Sequence, residues 1–261
     1  MSQAGPEAAQ TGRSGRIRVV IPCYDEAARL PTARFKDFLL AQPEVAFVFV
    51  DDGSRDDTLS LLRSLERSVP ERACVLALPE NAGKAEAVRR GMLRALDDGA
   101  DYVGYWDADL ATPLGAILDF ARLLDARPEL ELAIGARVVL LGRRIERRAL
   151  RHYLGRVAAT AIALVLGLRV YDTQCGAKLF RAAPGLRELF AEPFVARWAF
   201  DVELLARMIR ARRERGLSPA DAAICEVPLA EWTDVAGSKV RPGDYLRAGL
   251  DLLRIWRRYL A

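Results

Sequence analysis

The stretch Tyr105-Trp-Asp-Ala-Asp-Leu-Ala-Thr-Pro113 decides how this chain is read. A run of strand character, Tyr102, Val103, Tyr105 and Trp106, ends in two aspartates one residue apart. In an extended segment, side chains i and i+2 point the same way. Asp107 and Asp109 are therefore expected to aim both carboxylates at one point beyond the strand. Two carboxylates at the C-terminal edge of a sheet suit a hard divalent cation whose other ligands are phosphate oxygens and water. Holding a nucleotide diphosphate requires such a site. Thr112 and Pro113 then predict a helix start, with Thr as N-cap and Pro at the first helical position. A lone Asp-x-Asp is also common as two solvated turn residues, so its meaning depends on its surroundings.

Upstream, three β-branched or apolar runs precede it: Arg18–Pro22, Val45–Val50 and Ala73–Leu78. Such runs suit buried parallel strands. The first is expected to stop at Pro22, which cannot donate a ladder hydrogen bond. Helices are predicted over Ala27–Gln42, from Asp57 or Thr58 to Ser68, and from about Lys84 to Leu96. With the strand ending at Asp107 the order is β-α-β-α-β-α-β with short connections. That order predicts a parallel sheet with helices on both faces. Polar or Gly-containing residues follow each strand, and in open α/β sheets that edge binds ligands.

Downstream, a helix is predicted over Leu114–Leu124 and a strand over Leu130–Ile134. An arginine-rich helix is predicted over Glu146–Leu166 and a strand over Ala177–Phe180. A helix from Asp201 to Arg213, a strand over Ala223–Val227, a loop over Glu231–Arg241 and a last helix over Asp244–Tyr259 complete the chain. Residues 1–15 look like a disordered tail. The remainder, 16–261, is expected to be one domain, with a first half over about 16–113 and a second over about 114–261.

The 261 residues are 51% hydrophobic and 28% charged, which excludes a disordered chain and allows one substantial core. A net charge of +4 is mild, but seven arginines lie between Arg137 and Arg156 and five between Arg207 and Arg215. Such clusters suit phosphate, nucleic acid or an anionic membrane, or are solvated helix faces. Four separated cysteines and one histidine, His152, exclude a zinc site of the usual type and fit a reducing cytoplasm. The longest apolar run, Val157–Leu168, falls short of the roughly 20 residues that span a bilayer. A dinucleotide-binding fold would need G-x-G-x-x-G after the first strand. The chain instead has Pro22-Cys-Tyr-Asp-Glu. A nucleic-acid module would leave the strand-end acids unexplained, because without a metal they repel phosphate.

Taken together, the motifs Val20-Ile-Pro-Cys-Tyr-Asp-Glu, Val50-Asp-Asp-Gly-Ser, Asn81-Ala-Gly-Lys and Asp107-Ala-Asp-Leu resemble family 2 glycosyltransferases. Three later motifs are similar to the dolichyl-phosphate β-glucosyltransferase branch. They are Asp172-Thr-Gln-Cys-Gly-Ala-Lys-Leu-Phe, Arg197-Trp-Ala-Phe-Asp-Val-Glu-Leu-Leu and Trp232 with Gly237-Ser238-Lys239. Dolichyl-phosphate mannosyltransferases share the first half. The resemblance covers about residues 17–259. It implies a GT-A fold, a mostly parallel sheet flanked by helices. It also implies inverting transfer of a sugar, glucose from UDP-glucose, to a polyprenyl phosphate. The alternatives are transfer from GDP-mannose, or transfer to a soluble hydroxyl.

The resemblance also assigns expected roles. Pro22, Tyr24 and Glu26 would line base and ribose, and Asp52 would accept from a base N–H. Lys84 would face the nucleotide. Asp107 would reach ribose or metal, Ala108 would lie against the nucleotide, and Asp109 would ligate Mg²⁺ or Mn²⁺. Arg137 would stand beside the active site. Lys178, Arg197 and Lys239 would hold acceptor phosphate or donor diphosphate. Gln174 and Gly176 would shape the sugar pocket, while Trp198 and Trp232 would stack on sugar or merely pack. Asp201 would be the base for a hydroxyl acceptor, or simply a helix N-cap. Eukaryotic members of the branch carry an N-terminal membrane anchor, which this sequence does not show. Peripheral contact at the cytoplasmic membrane face, or a membrane-protein partner, is expected instead, and nucleic acid is not an expected partner.

Overall fold

In the computed structural model, residues 16–138, 144–146, 159–233 and 243–261 are described. Strand β1 (Ile17–Cys23) is followed by α1 (Thr32–Ala41), β2 (Val45–Asp51), α2 (Thr58–Ser68), β3 (Ala73–Ala77), α3 (Lys84–Asp97) and β4 (Tyr102–Trp106). These strands carry the β-branched and aromatic runs, and β2 and β4 are buried along their whole length. Then come α4 (Ala116–Ala126), β5 (Leu132–Ala136), β6 (Arg144–Glu146) and a helical stretch, α5, at 159–166. Strand β7 (Ala177–Arg181), α6 (Leu186–Ala191), α7 (Phe200–Glu214), β8 (Ile224–Pro228), β9 (Glu231–Thr233) and α8 (Gly243–Ile255) follow. A π-type turn, Trp256–Leu260, ends the chain.

The main sheet runs β3-β2-β1-β4-β7-β5-β8. All its pairings are parallel except those of β7, which is antiparallel to both β4 and β5. The first-half expectation of a parallel sheet thus holds, and β7 makes the whole sheet mixed. Helices cover both faces. Phe35 of α1 packs edge-on against Phe47 and Phe49, with ring centroids 5.5 and 5.2 Å apart. Helix α3 lies against Val20 and Val50 on the other face.

Several boundaries differ from expectation. Strand β1 continues through Pro22 to Cys23 because its pairing to β4 ends at Val20, so the missing N–H interrupts no ladder on that side. Helix α1 starts at Thr32, after Pro31, and leaves 24–31 as a loop above the strand ends. Thr112 is not an N-cap. Helix α4 begins at Ala116 after a short turn in which Ala116 N–H donates to Pro113 O, while the Thr112 carbonyl accepts from Trp106 Nε1 at 3.0 Å. Glu146 belongs to β6, paired with β9, rather than to a helix start. Residues 1–15, His152, Gly237, Ser238, Lys239 and most of the Arg137–Arg156 cluster lie outside the described residues.

The second arginine cluster is no open basic patch. Arg207 pairs with Glu203, Arg210 with Glu214, Arg212 with Glu131 and Arg215 with Glu188. Arg212 and Arg215 thereby tie the end of α7 to Glu131 and Glu188, while Arg210 pairs within the helix.

Candidate active site

The loops after β1, β2 and β4 meet at one edge of the sheet, joined there by the segment before β7 and the start of α7. Asp52 follows β2. Its Oδ1 accepts the Ala82 N–H at 2.8 Å and its Oδ2 accepts the Gly83 N–H at 2.9 Å. Gly83 can present its N–H this way because it adopts φ +93°, a conformation side chains oppose. Asp52 therefore builds the turn that starts α3. Burial pushes its carboxyl up, and the two N–H bonds oppose that shift. Asp51 beside it is buried, with Oδ2 accepting from Ser54 N–H at 3.3 Å.

Lys84 is the first residue of α3, and its ammonium pairs with Asp107 Oδ1. Burial alone would lower this lysine. Asp107, with Asp201 and Asp109 behind it, outweighs burial and raises it. The Asp107 N–H donates to Gly176 O at 3.0 Å. A Cβ on Gly176 would lie 1.9 Å from Asp107 Oδ2. Gly176 thus makes room for the Asp107 carboxylate.

Asp107 and Asp109 are not placed by strand alternation. Strand β4 stops at Trp106, and residues 107–110 form a turn in which Leu110 N–H donates to Asp107 O at 3.3 Å. Leu110 carries φ +53° there. Asp109 Oδ1 accepts from its own loop at Ala111 N–H, 3.0 Å away. Burial and then the neighbouring Asp107 charge push the Asp109 carboxyl up. Ala108 is buried between them. The donor set is hard oxygen only. Among the described residues no third carboxylate, histidine or cysteine completes a cage. Such a pair fits a divalent cation that draws its remaining ligands from phosphate and water. Lys84 already marks the place where positive charge is needed.

Asp201 lies in the first turn of α7 but does not cap it; Ala199 holds the N-cap position. Asp201 Oδ1 accepts from Tyr105 OH at 2.5 Å and from Lys178 Nζ at 2.6 Å. Lys178 is entirely buried, and its ammonium also donates to Cys175 O at 2.7 Å. Lys178 was expected to meet a phosphate directly. It lies instead behind Asp201: β7 is buried over Ala177–Phe180, and the lysine turns its ammonium to Asp201 and the Cys175 carbonyl.

Arg137 follows β5 and grips Asp172 with Nε at 2.6 Å and Nη2 at 2.7 Å, while its own N–H donates to the same carboxylate at 3.1 Å. Its guanidinium lies 5.4 Å from the Trp232 ring centroid, so this tryptophan packs on the arginine. Although burial opposes the charge, Asp172 holds Arg137 well above its ordinary value. Gln174 sits half-buried on the loop between Asp172 and Gly176. Arg197 reaches across from the loop before α7 to donate to Ala82 O at 3.2 Å. Trp198 beside it is exposed.

Near β1, Pro22 and Tyr24 are half-buried. Glu26 is not in a helix's first turn. It is buried in the loop, its N–H donates to Thr58 Oγ1 at 2.8 Å, and its carboxylate pairs with Arg29 Nε and, at 2.6 Å, Nη2. Sequence reasoning missed Arg29, Tyr105 and Asp172 as site residues. Arg29 is raised mainly by its hydrogen bond to Glu26, and Asp109 adds to this from across the cleft. The pair lies in a loop turn, Arg29 N–H donating to Glu26 O at 2.9 Å, which residue type alone does not reveal.

Residues 18–184 match the family described as Glycosyl transferase family 2. The dolichyl-phosphate beta-glucosyltransferase of Drosophila melanogaster is 33% identical over 266 residues, covering 94% of this chain and 75% of that protein. The Homo sapiens protein of the same name is 31% identical, covering 94% of this chain and 76% of its own. A crystal structure of Mycobacterium tuberculosis glucosyl-3-phosphoglycerate synthase with Mn²⁺, UDP-glucose and phosphoglyceric acid has the same fold. Its TM-score is 0.63 at 22% identity, covering 93% of this chain and 80% of that one. With its GT-A sheet and the family motifs in register along it, this chain belongs to glycosyl transferase family 2.

Proposed function

We propose that this protein transfers glucose from UDP-glucose to a polyprenyl phosphate of the dolichyl type, inverting the anomeric carbon. The names of the relatives support the sugar and the acceptor. The observation that carries the choice of acceptor is the state of Asp201. Its Oδ1 is committed to Tyr105 and Lys178, and the lysine already balances its charge. A hydroxyl acceptor needs a strong base to remove its proton. A phosphate monoester does not, since its second pKa is near ~6 and its oxygen is already a nucleophile at neutral pH.

The donor's diphosphate lies at the β4 edge in this reading. Asp107 and Asp109 hold Mg²⁺ or Mn²⁺, which neutralises the departing nucleoside diphosphate. Lys84 and Arg197 add cationic charge around the same diphosphate. Asp52 fixes the Ala82–Gly83 turn that positions Lys84. Pro22, Tyr24 and the Glu26–Arg29 pair border base and ribose. Arg137, held flat by Asp172 and Trp232, faces the acceptor phosphate, with Gln174 lining the sugar. Asp201 orients the acceptor through its second oxygen. Lys239 keeps its expected place as an acceptor-side cation. Residues 16–261 act as one catalytic domain. Because a polyprenyl chain resides in lipid, the enzyme works at the cytoplasmic membrane face, by peripheral contact or through a membrane-protein partner. No helix of the described residues is long and apolar enough to cross a membrane.

A thermal-shift panel of UDP-glucose, GDP-mannose and CDP, with and without Mn²⁺, tests the donor. A ligand that binds only the native state raises the midpoint. A Mn²⁺-dependent rise with UDP-glucose, lost in Asp109→Ala, is expected. A rise with GDP-mannose alone would overturn the glucosyl assignment.

A further inference from the structure

The C-terminal segment presents an unusual surface. Leu250, Leu253 and Trp256 are 58%, 45% and 44% exposed. They are spaced i, i+3, i+6 along one side of α8 and its last turn, so they form one apolar stripe. Arg254 and Arg258 border the stripe, Arg257 lies on it one turn beyond Leu253, and all three are exposed. Arg254 leans on Asp251 at 3.2 Å, while the Arg258 guanidinium lies 5.7 Å from the Tyr259 ring centroid. Three large apolar side chains in water are costly to leave uncovered.

The opposite side of the same segment is locked down. Ile255 and Tyr259 are buried. Tyr259 OH donates to Glu203 Oε1 at 2.8 Å. Glu203, buried in α7, also accepts from Ala196 N–H at 2.8 Å and pairs with Arg207. Arg207 donates to the carbonyls of Leu189, Glu192 and Pro193. Glu203 is two residues beyond Asp201, and positions i and i+2 of a helix point about 160° apart. Helix α7 therefore offers Asp201 to the site on one side and holds the C-terminal turn on the other. The turn is widened to π geometry, and within it Trp256 is exposed while Tyr259 is buried.

We propose that segment 249–260 docks on an anionic lipid surface, with Leu250, Leu253 and Trp256 entering the head-group layer and Arg254, Arg257 and Arg258 pairing with lipid phosphates. An apolar stripe with arginine flanks is the composition of an interfacial helix. Charge complementarity selects anionic lipid over neutral lipid, and over a second copy of this positively charged chain. Anchoring of this segment to α7 through Tyr259 and Glu203 fixes the docked surface relative to Asp201. The inference deepens the acceptor reading above, but it predicts lipid binding in the absence of either substrate.

Cosedimentation of the full chain with vesicles of phosphatidylcholine alone, and with added phosphatidylglycerol, tests it. Binding to the anionic vesicles and little binding to the neutral ones is expected. Arg257→Glu should weaken binding about fivefold or more, since each basic residue near the surface contributes about that factor. Trp256→Glu should weaken it roughly tenfold, as apolar burial is replaced by a charge. Both positions are exposed, so folding is retained, which the thermal midpoint checks. Failure to bind anionic vesicles overturns the proposal. So does binding that both variants leave unchanged, or a wild-type dimer that Trp256→Glu dissociates without any vesicle binding. None of these outcomes depends on UDP-glucose use, so the lipid proposal and the transferase reading fail separately.

Discussion

Lys178 and Asp201 are joined by a 2.6 Å ion pair in which the lysine is entirely buried and the aspartate nearly so. The pair joins β7 to α7, and with Tyr105 it joins β4 as well. Removing one partner of a buried pair leaves an unbalanced charge. Lys178→Met should destabilise the fold by about 3–5 kcal/mol. The double variant Lys178→Met/Asp201→Leu should recover much of that loss in urea unfolding, yet stay inactive in transfer. Recovery of activity in the double variant would show that Asp201 has no part in acceptor orientation.

Gly176 gives a cleaner test of the proposed metal-binding edge. Its Cα faces the Asp107 carboxylate, and an added methyl would overlap Oδ2. Gly176→Ala should push Asp107 aside and lower kcat/KM about a hundredfold, the cost of misplacing a reacting group by ~1 Å. The Mn²⁺ concentration needed for half-maximal donor binding should rise with it, while the unfolding midpoint changes little. A normal metal requirement in this variant would separate Asp107 from the cation.

Arg137 should not tolerate lysine. Its planar fork makes two parallel bonds to Asp172 and also lies against Trp232. A point-charge ammonium cannot make the bidentate pair and does not stack flat on the indole. Arg137→Lys should raise the KM for the acceptor while leaving donor binding, followed by thermal shift, near the wild-type value. An unchanged acceptor KM would confine Arg137 to holding the Asp172 loop.

A pH effect on stability follows from Tyr102. Burial, and then the hydrogen bond it donates to Asp125, push this phenol from 10.0 to about 12, while Arg181 opposes. A group raised in the folded state stabilises it below the unfolded pKa and loses that contribution as pH rises through the folded one. Stability should therefore fall between pH 10 and about 12. In Tyr102→Phe the difference from wild type should shrink over the same interval. Urea unfolding across that range checks it, and parallel curves would exclude Tyr102 as the cause.

Much of this architecture was legible because it is local. The runs Arg18–Pro22 and Val45–Val50 read as buried strands from their β-branched and apolar residues, and acids follow both at the strand-end edge. What failed was non-local. Glu146 looked like a helix start, but it pairs in β6 with a strand more than eighty residues later, which no local pattern reveals. Lys178 looked like a phosphate cation because a lysine in a strand gives no sign of which way it points. What encloses it is non-local: Asp201, at the start of α7, meets its ammonium on the face of the sheet. Strand alternation, from which Asp107 and Asp109 were expected to converge, does not describe their geometry. They lie in a turn with a left-handed Leu110, and that conformation is not written in residue type.

The most direct test of the central claim is transfer itself. Purified protein, labelled UDP-glucose, Mn²⁺ and a polyprenyl phosphate in detergent should give a labelled lipid that mild acid releases as glucose. Asp109→Ala should abolish the product. Labelled glucose appearing only on a soluble hydroxyl acceptor, with the lipid phosphate left untouched, would contradict the account.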